Sequence, residues 1–266
     1  MARVVMVHGA FHELWGPYRL LFRWTPSMLD GLEASGTDLS TQTFQQIREQ
    51  IAVAFWGDLF RPRPDPDHAT DDDSAGPAAP ADSPDQIVET MGIDITHLDA
   101  IGKAVSANTH QKTLEHLAQY FVDDELRTTV QQRVLHHLGP ETEVVVAHSM
   151  GTIVAYEVLA ANPHIEIPML ITLGSPLGVT PFIFDNLRPA PTAGRGHWPA
   201  GVAAWTNVAA QNDMATAAAP CLAPLFGGGI VDELVYNGRH PHDIEPYLTA
   251  AETGRAIARG LGDPTR

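Results

Sequence analysis

The stretch Val144-Val145-Val146-Ala147-His148-Ser149-Met150-Gly151 decides the fold. Three consecutive valines followed by alanine predict a strand buried on both faces, which is typical of a parallel sheet. The next residues, 151–162, carry apolar side chains at helical spacing and end at Asn162-Pro163. A strand that leads through a sharp turn into a helix exposes the residue at the turn, which is Ser149.

Ser149 stands in the pattern small-x-Ser-x-small, with Ala147 two residues before it and Gly151 two residues after it. A nucleophile elbow needs small residues at both places because the strand and the helix come close together there. Ala147 replaces the usual glycine of the GxSxG pattern, and its methyl group is still small. We therefore interpret Ser149 as a nucleophile rather than as a structural serine in a turn.

The rest of the chain alternates between strand and helix patterns. This alternation predicts an α/β fold with a mainly parallel central sheet flanked by helices. Pro26 is expected to kink or restart the first helix. The predicted strands are 4–7, 51–56, 144–147, 168–173, 202–208 and 230–236, and the predicted helical regions are 18–35, 87–138, 151–162 and 244–261.

Two segments depart from this alternation. Residues 61–85 hold six prolines and seven aspartates, so we expect a flexible insertion that cannot bury enough surface to become ordered. Residues 178–201 have no regular period and contain four prolines, which predicts an irregular excursion that acts as a short cap. The 266 residues are otherwise expected to form a single domain.

Composition excludes several classes of function. The formal net charge of −16 opposes binding to nucleic acid, because a polyanion would meet a repulsive field. The single cysteine, Cys221, excludes an internal disulfide framework and a cysteine-rich zinc site, and we expect it to be buried as a small apolar residue. The thirteen histidines include no HExxH pair, so we expect neither a metal nor another cofactor.

No apolar run in the sequence is long enough to act as a membrane span. The first apolar run, Val4 to Val7, is too short for the core of a signal peptide. We therefore expect no membrane span and a cytoplasmic location.

The sequence resembles the alpha/beta-hydrolase superfamily, and within it an uncharacterised bacterial group of lipase- and esterase-like serine hydrolases. The resemblance covers nearly the whole chain except the 61–85 insertion. The residues that carry it are His8-Gly9, Trp24 with Asp30-Gly31-Leu32, Phe55-Trp56-Gly57-Asp58-Leu59-Phe60, Ala147-His148-Ser149-Met150-Gly151, Leu173-Gly174-Ser175-Pro176-Leu177, Trp205-Thr206-Asn207 and His242 before Tyr247-Leu248.

The resemblance implies a catalytic triad in the order serine, acid, histidine. Asp213 fits the acid because it follows a late strand, and Asp232 is the alternative. His242 fits the base because it follows the last predicted strand and precedes the final helix, although His240 lies only two residues away. His148, next to the serine, is expected to be structural, with its ring directed away from the serine hydroxyl.

The resemblance also implies an oxyanion hole made of backbone N–H groups. One donor is expected from Met150 and the other from Ala10 or Phe11, where the chain departs from the glycine-rich turn of the resembling group. Phe11 is a candidate for contact with the acyl part of the substrate, or it packs under the Phe182 to Phe184 segment. Phe182 and Phe184, in the 178–201 excursion, are further candidates.

The expected activity is hydrolysis of a carboxylic ester or a related acyl bond in a small-molecule or acyl substrate. The same triad would also serve a peptidase, an amidase or an acyltransferase. A binding protein that has lost catalysis on a hydrolase scaffold is the alternative from another class.

Overall fold

A computed structural model describes residues 2–62 and 107–262, with side chains described from residue 115 onward in the second range. Most of the 61–85 segment, for which we predicted a flexible insertion, lies outside these residues, as does the first part of the predicted 87–138 helical region.

The six predicted strands all form, and they build one sheet in which every neighbouring pair is parallel. The order across the sheet is β2-β1-β3-β4-β5-β6. The α/β architecture predicted from the alternating pattern is therefore confirmed. The strands are β1 (Val4–Val7), β2 (Ile51–Ala54), β3 (Val144–His148), β4 (Ile167–Leu173), β5 (Val202–Ala210) and β6 (Ile230–Val235).

The helices flank this sheet. The described α-helices are α1 (Pro17–Ala34), α2 (Phe44–Arg48), α3 (Ala107–Val122), α4 (Asp124–Leu135), α5 (Met150–Ala161), α6 (Ala223–Phe226), α7 (Ile244–Thr249) and α8 (Ala251–Gly260). Pro26 does not restart α1, which runs through it without interruption.

The single closing helix predicted for 244–261 is wrong, because the structure has two helices there. Ala250 separates α7 from α8 with an extended backbone, at φ −67° and ψ 135°. The break turns the chain so that both helices pack on α1. Helical periodicity continues across this position, and neither Ala250 nor its neighbours Thr249 and Ala251 is a helix breaker, so the pattern could not predict the turn.

Apolar layers cover both faces of the sheet. Along β3, Val145 and Ala147 face one core, while Val144 and Val146 face the other. All four are at most 2% exposed, which is the burial expected of a strand covered by helices on both sides.

The 178–201 excursion is irregular, as predicted, and its only regular element is a short 3-10 turn at Phe184–Asn186. The aliphatic and phenylalanine side chains that it buries in the core are Val179, Phe182, Ile183, Phe184 and Leu187.

Cys221 is exposed, so the prediction that it is buried is wrong. It precedes Leu222, which is fully buried just before α6. Since the chain directs Leu222 inward at this turn, the neighbouring side chain is left facing solvent.

Helix α1 is held against α7 and α8 by a very close backbone approach. A methyl group added at Gly254 would overlap the carbonyl oxygen of Gly31, and one added at Gly31 would overlap the carbonyl oxygen of Leu248. Only glycine fits at these two positions.

We predict that Gly254→Ala lowers the free energy of unfolding by about 2–3 kcal/mol, because the added carbon meets backbone that cannot rotate away. Urea denaturation measures this change. Gly228→Ala is the control, since no atom lies within 4 Å of a methyl group placed there. Equal effects of the two substitutions would contradict the close packing of α1 on α8.

Candidate active site

Ser149 occupies the sharp turn between β3 and α5. Its backbone has φ 53° and ψ −131°, a conformation that costs a residue other than glycine free energy and that occurs mainly at functional sites. A side chain on Gly151 would overlap the carbonyl oxygen of His8, and the fully buried Ala147 leaves no room for a larger group. These are the small neighbours that a nucleophile elbow requires.

The position of Ser149 in the sheet also favours a functional site. From β1 the chain goes to β2 on one side of it, whereas β3 lies on the other side. The strand order therefore switches between β1 and β3, and the carboxyl ends of the strands at such a switch point are where open α/β sheets bind their ligands. Ser149 follows β3 directly.

Three of the predicted site residues lie in hydrogen-bond contact. His242 Nε2 is 2.9 Å from Ser149 Oγ, and His242 Nδ1 is 3.0 Å from both carboxylate oxygens of Asp213. Because a carboxylate only accepts, Nδ1 carries the proton and Nε2 is free to accept the serine O–H. The Asp213 side chain is fully buried, while that of His242 is 41% exposed.

The two alternative residues are placed elsewhere. His240 is exposed, and no hydrogen bond connects it with Ser149 or Asp213 in the described part of the chain. The Asp232 carboxylate accepts the Leu222 and Ala223 backbone N–H groups at the start of α6, at 2.9 and 3.0 Å. It also accepts the Asn207 side-chain amide at 2.8 Å. These contacts give Asp232 a structural role.

Asp213 has two further donors that the sequence analysis did not find. The hydroxyl of buried Tyr247 donates to Oδ2 at 2.5 Å, and the Ala215 backbone N–H donates to Oδ1 at 2.9 Å. Burial, together with the Asp213 charge, raises the pKa of Tyr247 well above its usual range, so this hydroxyl keeps its proton. The sequence analysis named Tyr247 among the residues that carry the superfamily resemblance but gave it no role, because its position near Asp213 depends on the packing of α7.

Gly174 creates the space in which the acid and the imidazole meet. Its φ is +54°, and an added methyl group would lie 2.9 Å from Asp213 Oδ2 and 3.3 Å from His242 Nδ1. Both the backbone conformation and the contact distances require glycine here.

The loop after β1 lies against the serine. A methyl group on Gly9 would be 2.7 Å from Ser149 Cβ. Phe11 has a left-handed backbone at φ 66°, and neither its N–H nor that of Ala10 donates to another described residue. Met150, the first residue of α5, has an N–H without an acceptor in its helix. Backbone donors are thus available where an oxyanion hole was predicted.

His8 connects this loop with β2. Its Nε2 accepts the Trp56 backbone N–H at 3.0 Å, so its Nδ1 is the donor to Gly9 O at 2.6 Å. Its ring stacks on Trp56, with the centroids 4.2 Å apart. Burial lowers the pKa of His8 well below its ordinary value of 6.5, and the neighbouring His12 lowers it further. His8 is therefore a neutral structural residue.

His148 makes its hydrogen bond away from the serine hydroxyl. Its Nε2 donates to the carbonyl oxygen of His242 at 2.9 Å, and the two rings lie 4.9 Å apart. Burial lowers the pKa of His148 well below the ordinary value, and His242 contributes to the shift. A neutral His148 thus holds the backbone of His242 without adding charge beside it.

The three phenylalanines predicted to contact substrate lie in different environments. Phe11 belongs to the partly exposed loop beside Ser149. Phe182 packs near Phe121, with ring centroids 6.1 Å apart, and Phe184 packs on Phe226 at 5.5 Å. Phe182 and Phe184 are 5% and 2% exposed, so both are core residues in this structure.

A buried ion pair fixes the 178–201 excursion to the helix that follows the serine. Arg127 of α4 pairs with Glu157 of α5, and the two side chains are only 3% and 1% exposed. Glu157 also accepts the Tyr120 hydroxyl at 2.7 Å and the Arg188 backbone N–H at 2.9 Å. The sequence analysis missed this network, which joins residues 30 to 37 positions apart.

The described residues contain no helix long and apolar enough to cross a membrane. They also contain no group of three or more histidine, cysteine, aspartate or glutamate side chains that could hold a metal ion.

The parallel sheet with its flanking helices and the turn at Ser149 define an alpha/beta-hydrolase fold. A family model agrees: residues 98–189 match the PGAP1-like alpha/beta domain, a family of the alpha/beta-hydrolase superfamily. The resemblance to this superfamily is thereby confirmed. The matched part is about a third of the chain and includes Ser149, but neither Asp213 nor His242. No curated protein matches the chain.

We predict that stability decreases with acidification, in part through His8. In the unfolded chain the His8 imidazole binds a proton near pH 6.5, whereas in the folded chain it stays neutral. The free energy of unfolding therefore falls as pH drops below that value. Between about pH 7 and about pH 5, the free energy of unfolding of His8→Gln should fall by roughly 2 kcal/mol less than that of the wild type. The exposed His240→Gln is the control and should follow the wild type. A His8→Gln curve as steep as the wild type's would contradict a buried neutral His8.

Proposed function

We propose that this alpha/beta-hydrolase scaffold is a serine hydrolase that cleaves a carboxylic ester or a related acyl bond. The observation that carries the proposal is the continuous set of contacts from Ser149 Oγ to His242 Nε2 and from His242 Nδ1 to Asp213. This is the geometry that activates a serine hydroxyl at neutral pH.

In the acylation step, His242 Nε2 takes the proton of Ser149 as Oγ bonds to the carbonyl carbon of the substrate. Asp213 stabilises the imidazolium that forms and keeps the ring in its orientation. The negative oxygen of the tetrahedral intermediate accepts from the Met150 backbone N–H and from Ala10 or Phe11. The intermediate then expels the leaving alcohol, which takes the proton from His242.

In the deacylation step, water attacks the acyl-enzyme. His242 Nε2 removes a proton from the water as its oxygen bonds to the acyl carbon. The proton then returns to Ser149 Oγ as its bond to carbon breaks, which releases the carboxylic acid and regenerates the enzyme. No cofactor is needed for either step.

Phe11 is the proposed contact for the acyl group of the substrate. Its partly exposed side chain on the loop beside Ser149 supports this role. The burial of Phe182 and Phe184 supports a less direct role, in which they hold the excursion in place. The cytoplasmic location and the absence of nucleic acid partners stay predictions from the sequence.

We predict that a fluorophosphonate probe labels the wild type and that Ser149→Ala abolishes the labelling. Hydrolysis of p-nitrophenyl esters should fall by a factor of about 10³ or more, because the variant has no hydroxyl to form the acyl-enzyme. Intact-protein mass spectrometry measures the labelling. Labelling that survives in Ser149→Ala would exclude Ser149 as the nucleophile.

A set of p-nitrophenyl esters and matched amides also tests which type of bond is cleaved. We expect turnover of the p-nitrophenyl esters and none of matched aminoacyl and peptide amides. Faster cleavage of the amides would instead establish a peptidase or amidase. Acyl transfer to an added alcohol in preference to water would establish an acyltransferase. A folded wild type without labelling or turnover would favour a non-catalytic binding protein.

We predict that His242→Ala lowers kcat for the esters by a factor of about 10³ or more, because no other base in the described ranges contacts the Ser149 hydroxyl. His240→Ala is the matched control, since His240 is an exposed histidine two residues away in the same loop. It should keep kcat within about twofold of the wild type. A greater loss in His240→Ala than in His242→Ala would reassign the base.

A further inference from the structure

Tyr247 is a fully buried side chain whose hydroxyl group reaches the proposed acid. It belongs to α7, three residues after Ile244, which begins the helix. Its hydroxyl lies 2.9 Å from the Ala210 backbone nitrogen at the end of β5 and 2.5 Å from Asp213 Oδ2. The mechanism described above assigns it no role.

The direction of both hydrogen bonds of Tyr247 is fixed by chemistry. The Ala210 N–H can only donate, so the hydroxyl oxygen accepts from it. The hydroxyl has a single proton, which is directed at Asp213 Oδ2. Since burial and the Asp213 charge raise the pKa of Tyr247, this donor persists over the pH range in which a serine hydrolase works.

The Asp213 carboxylate depends on few donors. Its side chain has no exposure to solvent, so protein groups alone must stabilise its charge. Oδ1 accepts from the Ala215 N–H, whereas Oδ2 accepts from Tyr247, and both oxygens share the Nδ1 proton of His242. Removal of the Tyr247 hydroxyl would leave Oδ2 with the shared histidine proton alone.

We propose that Tyr247 is a positioning residue for Asp213: its hydroxyl orients the carboxylate toward His242 and takes up part of the carboxylate charge. This inference rests on the proposed serine hydrolase function. Two effects follow when the hydroxyl is absent. The carboxylate becomes less well oriented, which lowers kcat, and its charge attracts the imidazolium more strongly, which retains the proton on His242 to higher pH.

Tyr247→Phe tests the proposal, and Tyr156→Phe is its matched control. Both tyrosines are fully buried, and each hydroxyl accepts one backbone N–H, from Ala210 and His197 respectively. The two substitutions therefore remove the same atom and the same kind of contact. Only Tyr247 contacts Asp213.

For Tyr247→Phe we expect kcat to fall by about 10- to 30-fold while KM stays within about twofold, because the lost bond is to a charged group outside the substrate contacts. The midpoint of the acidic limb of the rate profile should move upward by about 0.5–1 pH unit. For Tyr156→Phe, kcat and the midpoint should remain those of the wild type. A midpoint that stays in place in Tyr247→Phe, or one that moves equally in both variants, would overturn the proposal.

Proton NMR of the resting protein gives a second result that requires no turnover. The Nδ1 proton shared by His242 and Asp213 should give a downfield resonance, which Asp213→Asn identifies by its loss. Tyr247→Phe should shift this resonance, whereas Tyr156→Phe should not, and an unshifted resonance in Tyr247→Phe would contradict the positioning role. If Ser149→Ala kept full activity, the proposed function would fail, while the NMR comparison would still decide whether Tyr247 controls Asp213.

If Tyr247→Phe does not fold, the exchange rate of the Tyr247 hydroxyl proton in the wild-type protein tests the proposal instead. A hydroxyl proton held between Tyr247 and Asp213 should be downfield and slow to exchange with solvent. A Tyr247 hydroxyl proton that exchanges as fast as that of the exposed Tyr236 would overturn the proposal.

Discussion

The close contact between the loop after β1 and the turn at Ser149 is the constraint on which the site depends. Gly9 and Gly151 both face this contact, and a methyl group on either would meet the opposite segment. The strained backbone of Ser149 is held by its neighbours: its N–H donates to Leu173 O at 3.0 Å, and its carbonyl oxygen accepts the Thr152 N–H at 2.9 Å. The pairing of β1 with β3 brings these segments together, so the geometry of the serine follows from the order of strands in the sheet.

Much of the fold could be predicted because its signals are local. A run such as Val144 to Val146 identifies a buried strand without reference to any other segment. The small residues around Ser149 identify the elbow in the same way. Local patterns could not identify Asp213 and His242, since these residues lie 64 and 93 positions after the serine. The superfamily's order of acid and histidine supplied that information, and the structure brings His242 to Ser149 and Asp213 to His242.

The remaining features depend on contacts that no local pattern records. The contact of Tyr247 with Asp213 exists only once α7 is packed beside the acid, and the sequence gives no sign of it. The break at Ala250 follows from the fit of α7 and α8 on α1, and the exposure of Cys221 follows from the inward turn of Leu222. The histidines show the same limit. His8 and His148 differ from His240 only in what the fold places around them.

The Glu157 network has a consequence for how this protein can change in evolution. The Glu157 carboxylate accepts hydrogen bonds from α3, α4 and the excursion, so it links three segments to α5. A neutral residue at position 157 would leave the buried Arg127 guanidinium without its partner charge. A neutral residue at position 127 would likewise leave the Glu157 carboxylate unpaired. A buried unpaired charge is strongly destabilising. A variant that has lost only one of the two charges is therefore expected to fold poorly. The two charges can be replaced without that cost only together, and the excursion stays joined to α5 while both are present.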